Sequence, residues 1–183
     1  MKQESNVGYI VRLTLTLLII CAVVSAALAG VNAITKDKIA AIQVEKTQKA
    51  IAAVLEGGYD SEITDFKDDS GLVSKIYKGA GGYAVEVAPA GFGGEITMMV
   101  GISTDGKVLG ISVISHAETP GLGAVAAANT DKGAAFRDQF QGLFGSITIG
   151  GSNGIDALSG ATITSKAVVD GVNAALACIA NLG

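Results

Sequence analysis

EITMMVGISTDGKVLGISVIS, residues 95–115, consists of two apolar runs on either side of Asp105-Gly106. An Asp-Gly pair supplies the positive φ angles that a tight turn between antiparallel strands requires. Ile96, Met98, Val100 and Ile102 alternate in the first run, and Leu109, Ile111 and Val113 in the second. A period of two puts each set on one face of a strand. The stretch therefore predicts a β-hairpin whose apolar face builds the core. Upstream, residues 72–78 and 83–88 alternate partially and are separated by Gly79, Gly81 and Gly82, which predicts a second strand pair. Downstream come a loop over 116–123, a short helical region over 124–139 broken near Asp131, and a last strand over 146–149. A closing helix over 165–180 carries Val168, Val172, Ala175, Leu176 and Ile179 as one apolar stripe. The sum is an α+β fold: one domain over 58–183, a mainly antiparallel sheet with flanking helices. About 125 residues can bury a real core.

The N-terminal part has a different character. Residues 13–34 contain no charge, and a helix of that length spans roughly 33 Å, about the thickness of a bilayer core. This predicts a transmembrane helix after an N-terminal tail over 1–12. A secretory signal is the competing interpretation, since Lys2 and Arg12 precede the apolar run and Ala27-Leu28-Ala29 resembles a cleavage site. The uncharged run continues past that site to Ile34, which favours a retained anchor. Beyond it, Ile39, Ile42, Ile51, Val54 and Leu55 recur near helical spacing among polar residues, so a helical stalk is expected over 35–57, stopped by Gly57-Gly58. Lys36, Lys38, Lys46 and Lys49 follow the anchor and only Lys2 and Arg12 precede it. Long domains translocate largely regardless of flanking charge, so the side stays open on charge alone.

Composition narrows the function classes. The chain is 49% hydrophobic and 16% charged, too apolar to be disordered. A net charge of -4 and the lack of basic runs interleaved with aromatics argue against nucleic acid. Cys21 and Cys178 form no metal or disulfide pattern, so neither a metal site nor a bridge is expected. Gly150-Gly151-Ser152-Asn153-Gly154 matches a nucleophile elbow in letters only. No helix follows directly, and His116, the one histidine, lies upstream instead of later in the chain. No catalytic residue is assigned. His116 is expected to be a surface or satisfied residue, and Asp65, Asp68 and Asp69 a solvated turn, because they lack the spacing of a calcium loop.

Two loops rich in glycine and hydroxyls remain. Near the C-terminus, Asp156-Ala157-Leu158-Ser159-Gly160-Ala161-Thr162-Ile163-Thr164-Ser165 runs into the closing helix. A helix start leaves backbone N-H groups unpaired and suits an anion. On local chemistry alone Thr164 or Ser165 is an N-cap. The other loop is Glu118-Thr119-Pro120-Gly121-Leu122-Gly123, which alone is a Pro-Gly turn.

Together these loops carry a resemblance. Ser159-Gly160-Ala161-Thr162-Ile163-Thr164 resembles the S-G-A-T-x-T flavinylation motif of the FMN-binding domain found in the G subunit of the Rnf ferredoxin:NAD oxidoreductase and the C subunit of the sodium-pumping NADH:quinone oxidoreductase. Asp156 fits the acidic residue before that motif. Glu118 to Gly123 matches the family's E-T-P-G-L-G loop, and Gly91-Phe92-Gly93-Gly94 resembles its glycine-aromatic turn. The resemblance implies covalent FMN, joined by a phosphoester to Thr164 by a separate flavin transferase that uses FAD. It implies that Ser159, Gly160, Ala161, Thr162 and Ser165 form the phosphate turn, and that Glu118, Thr119 and Leu122 line the isoalloxazine. The compact length is more similar to the Rnf G subunit, an electron carrier among membrane subunits of an ion-translocating complex, with the flavin domain outside the cytoplasm. The alternatives are the C subunit, or a membrane-tethered module that holds an anion without a covalent bond.

Overall fold

The computed structural model describes residues 6–182. Helix α1 spans Asn6–Val54, so residues 6–12 of the expected tail are already helical, while 1–5 lie outside the described residues. Thr14 and Thr16 donate their hydroxyls to the carbonyls of Ile10 and Arg12, which satisfies both polar groups within the helix itself. The helix is long and apolar enough to cross a membrane. Leu17, Val23 and Leu28 are exposed. Water would penalise such a surface, and hydrocarbon would not.

The chain divides into Met1–Glu45 and Lys46–Gly183. The second unit begins well before residue 58, because the last turns of α1 are part of its core. Ala50, Ile51, Val54 and Leu55 are buried with Tyr77, Ala84, Met99 and Ile114. Gly101 permits this approach: a Cβ there would collide with the Val54 carbonyl oxygen. Ile39 and Ile42, counted in the same stalk stripe, are exposed. Gly57 and Gly58, at φ 86 and 75, end the helix in the left-handed region.

The sheet is an antiparallel meander, β1 (Ser61–Ile63), β2 (Val73–Gly79), β3 (Gly82–Val87), β4 (Thr97–Ser103) and β5 (Val108–Ser115), in that spatial order. β1 was not legible in the sequence; three residues are too few to show a period. Before β2, Asp68 accepts hydrogen bonds from Ser70 and from the Val73 N-H, so this acidic residue builds the turn. The β4–β5 turn has three residues between Ser103 and Lys107, and only Gly106 has positive φ. It is thus a three-residue loop with glycine at the left-handed position, not a two-residue turn. Register corrects one core assignment. Ile102 pairs with Val108, and Gly101 with Gly110, leaving Leu109 as the extra residue of a β-bulge. Val108 takes the inward place at 1% exposure, and Leu109 is 40% exposed.

The other face of the sheet carries the larger core. Ile76, Val85, Val87, Met98, Val100, Ile102 and Ile111 pack with Val168, Val172, Ala175 and Leu176. After a 3-10 segment (Gly123–Ala127) comes α2 (Asp131–Asp138), capped by the Thr130 hydroxyl accepting from the Gly133 N-H. Arg137 donates to the carbonyls of Ala126 and Ala128, tying the two segments together. Thr148–Ile149 (β6) and Gly154–Ile155 (β7) pair around the glycine loop. Ser152 is exposed in that loop. The closing helix, α3, spans Thr162–Ala180. It starts three residues earlier than expected, with direct consequences for the site.

Candidate functional site

Because α3 begins at Thr162, its N-cap is Ala161, whose side chain makes no capping bond. Thr164 and Ser165 are therefore in the first turn and are not caps. Their hydroxyls do other things. Ser165, fully buried, accepts from the Leu158 N-H at 2.9 Å and donates to the Ala161 carbonyl at 3.0 Å. It locks the incoming loop onto the helix. Ser165→Ala would leave the partly buried Leu158 N-H without this acceptor, a loss of about 1 kcal/mol. A thermal melt in detergent is expected to shift down by several degrees; an unchanged melt would show that the loop is held elsewhere.

Thr164, 1% exposed, donates its hydroxyl to Glu118 Oε2 at 2.5 Å. Glu118 is itself buried, and its Oε1 accepts from the Gly93 N-H at 2.9 Å. Both carboxylate oxygens act as acceptors. The Glu118 N-H donates to His116 Nδ1 at 3.2 Å, so the histidine is satisfied at the strand end as its position suggested. Three glycines make room for this pair. A Cβ on Gly123 would collide with Glu118 Oε2 and Thr164 Oγ1, and one on Gly91 with Glu118 Oε1. On Gly93 it would strike the Ala117 carbonyl. These residues come from three separate loops that the sheet and α3 bring to one place.

Beside the pair is a cavity of about 360 Å³, within the range of small-molecule sites. Its lining includes Glu118, Thr119, Leu122, Gly160, Ala161, Thr162 and Thr164, so seven of the residues singled out in the sequence share one site. Ser159 does not line it: the chain turns at Gly160, φ 72, and leaves Ser159 exposed. Ser165 lies below, in the core. Sequence reasoning did not assign Phe92, Gly93, Gly123 and Ile163 to the site. The glycine-aromatic turn at 91–94 was the available signal for the first two, and Ile163 carried none. Phe92, Leu122 and Ile163 are 68%, 44% and 56% exposed around the cavity. A larger cavity, of about 640 Å³, is lined by Thr104, Asn173 and Leu176 among others and holds none of these groups.

The donors present suit a phosphorylated, planar, partly apolar molecule such as FMN. The first N-H groups of α3 have no partner within the helix, an arrangement that suits an anion. The apolar rim can cover a ring system, and the glycines let backbone approach closely. One group argues the other way: the Glu118 carboxylate adjoins the place where a phosphate would sit.

The family profile of the FMN-binding domain matches residues 91–177, which includes the three loops of the site. The G subunit of the Na(+)-translocating ferredoxin:NAD(+) oxidoreductase complex of Acetobacterium woodii is 35% identical, over 99% of this chain and 97% of its own length. The G subunit of an ion-translocating oxidoreductase complex of Methanosarcina acetivorans is 33% identical over 91% and 93%. Its counterpart in the proton-translocating ferredoxin:NAD(+) oxidoreductase complex of Clostridium ljungdahlii is 32% identical over 96% and 95%. With matches end to end at this identity, and the FMN-binding domain laid over the cavity, the chain belongs to the family of G subunits of ion-translocating oxidoreductase complexes.

Proposed function

We propose that this chain is the membrane-anchored electron carrier of an ion-translocating ferredoxin:NAD oxidoreductase complex, with FMN joined through its phosphate to Thr164. The observation that carries the attachment site is the position of Thr164: the residue lines the cavity, in the first turn of α3, with its hydroxyl bonded to a buried carboxylate. Thr162, two residues away in the same turn, is exposed. When bound, FMN supplies the redox chemistry, and the protein sets its position and surroundings. The N-H groups at the start of α3 would hold the phosphate, where the helix dipole favours negative charge. Gly160 and Ala161 shape the turn before it. Thr119, Leu122 and Phe92, which line the same cavity, would cover the ring system. Exclusion of water over this surface falls to the partner subunits of such a complex.

A hydroxyl does not attack a pyrophosphate unaided, so a separate flavin transferase is part of the proposal. A covalent link keeps the flavin with the chain outside the cytoplasm, the side we assign to this domain, with residues 13–34 as the single membrane crossing. The test is direct: the chain is produced with a flavin transferase, denatured, and examined for in-gel flavin fluorescence and for an added FMN mass on the peptide containing Thr164. Loss of all flavin on denaturation would replace the covalent carrier by a non-covalent binding module. Sidedness is tested with Ser152→Cys and a membrane-impermeant thiol reagent applied to whole cells; labelling is expected. The native thiols give little background. Cys21 lies within the crossing, and Cys178 is 2% exposed with its thiol pushed up by burial and then by Asp68.

A further inference from the structure

Thr164 and Glu118 are both buried, 46 residues apart in the chain, and joined by one hydrogen bond. The hydroxyl donates and the carboxylate accepts, while the other carboxylate oxygen is occupied by the Gly93 N-H. Gly91, Gly93 and Gly123 are needed for the carboxylate to fit, since a Cβ at Gly91 or Gly123 would collide with its oxygens and one at Gly93 with the neighbouring Ala117 carbonyl. A carboxylate placed with this much support, against the atom that must become a nucleophile, has the geometry of a general base. It would be a poor choice for holding a phosphate, because like charges repel.

We propose that Glu118 is a catalytic residue of flavin attachment: its Oε2 accepts the Thr164 hydroxyl proton as the phosphoester forms. This rests on the attachment at Thr164 proposed above. In the step, Thr164 gives its proton to Glu118, and its Oγ1 forms a bond to the phosphorus on the flavin side of FAD. The bond from that phosphorus to the bridging oxygen breaks, and AMP leaves with the electron pair. Nothing is oxidised or reduced. On this view the acceptor chain contributes half of the attachment chemistry, and the transferase contributes the bound and activated FAD.

The experiment uses the full chain, purified in detergent without flavin, mixed with saturating transferase and FAD, and followed by intact mass. Glu118→Gln keeps one oxygen to accept from the Gly93 N-H and places its NH2 against the Thr164 oxygen, which it can hold but from which it cannot take a proton. It is expected to slow FMN addition by about 100-fold or more while its thermal melt stays near that of the parent chain. Glu118→Ala is expected to be slow as well and to be accelerated by formate, a small carboxylate that fits the vacated space, and not by chloride at equal ionic strength. Glu118→Gln loading at the parent rate would overturn the proposal. So would a slow Glu118→Ala that formate does not rescue, since Glu118 would then only shape the loop. Failure of the parent chain to gain mass at Thr164 would instead sink the attachment itself.

Discussion

Thr164→Val is expected to abolish covalent flavin entirely, with no in-gel fluorescence and no added mass anywhere on the chain. Valine is close to threonine in shape, so packing at this 1% exposed position is kept while the hydroxyl oxygen proposed to form the ester is removed. The change is not silent for stability. Glu118 Oε2 loses its donor, and a buried carboxylate oxygen left without one costs about 1–3 kcal/mol or somewhat more. The variant is therefore expected to melt lower than the parent and still fold. Thr162→Val should retain the flavin, because Thr162 is exposed and the buried carboxylate holds Thr164 instead, and Thr164→Ser should retain it because the hydroxyl stays. Flavin kept by Thr164→Val, or lost by Thr162→Val, would move the attachment site.

Phe140→Ala is expected to produce the largest loss of stability from a single change. Phe140 is fully buried and meets Phe136 edge to face, with ring centroids 5.7 Å apart. α2 has only eight residues, too few to be stable by itself. These two rings dock it against the sheet, within the core that also holds Ile147 and Ile155. Truncation leaves a cavity and costs about 3–5 kcal/mol, a drop in melting temperature on the order of 10 °C for a domain of this size. The effect should reach the site, because Arg137 of the same helix holds the 3-10 segment that begins at Gly123. Reduced flavin loading together with a lower melt is the expected pair of results. A melt within about 2 °C of the parent would mean that the core closes over the gap, contrary to the dense packing of protein interiors.

The periodic parts of the fold were legible because local pattern and final environment agree. Residues 97–115 alternate, and the sheet buries the alternating set. α3 carries its apolar stripe and packs it as expected. The failures have specific causes. Leu109 alternates correctly, yet a bulge displaces it by one place, and no local signal distinguishes it from Val108. Ile51, Val54 and Leu55 followed the helical period, but only packing decided that they close the second face of the sheet while Ile39 and Ile42 stay exposed. The cap expected at Thr164 or Ser165 is absent because α3 starts at Thr162 without a side-chain cap at all. That frees Thr164 for Glu118 and Ser165 for Leu158.

By itself the sequence determined an apolar N-terminal helix, an antiparallel α+β domain, and two glycine- and hydroxyl-bearing loops whose motifs resemble those of a flavin-binding family, since composition, period and motif are local properties. Only the tertiary structure decided which of two neighbouring threonines is held by a buried carboxylate, because Glu118 and Thr164 are 46 positions apart. Their meeting depends on where the β5 exit, the glycine turn at 91–94 and the start of α3 come together, and such long-range placement leaves no periodic trace in the chain.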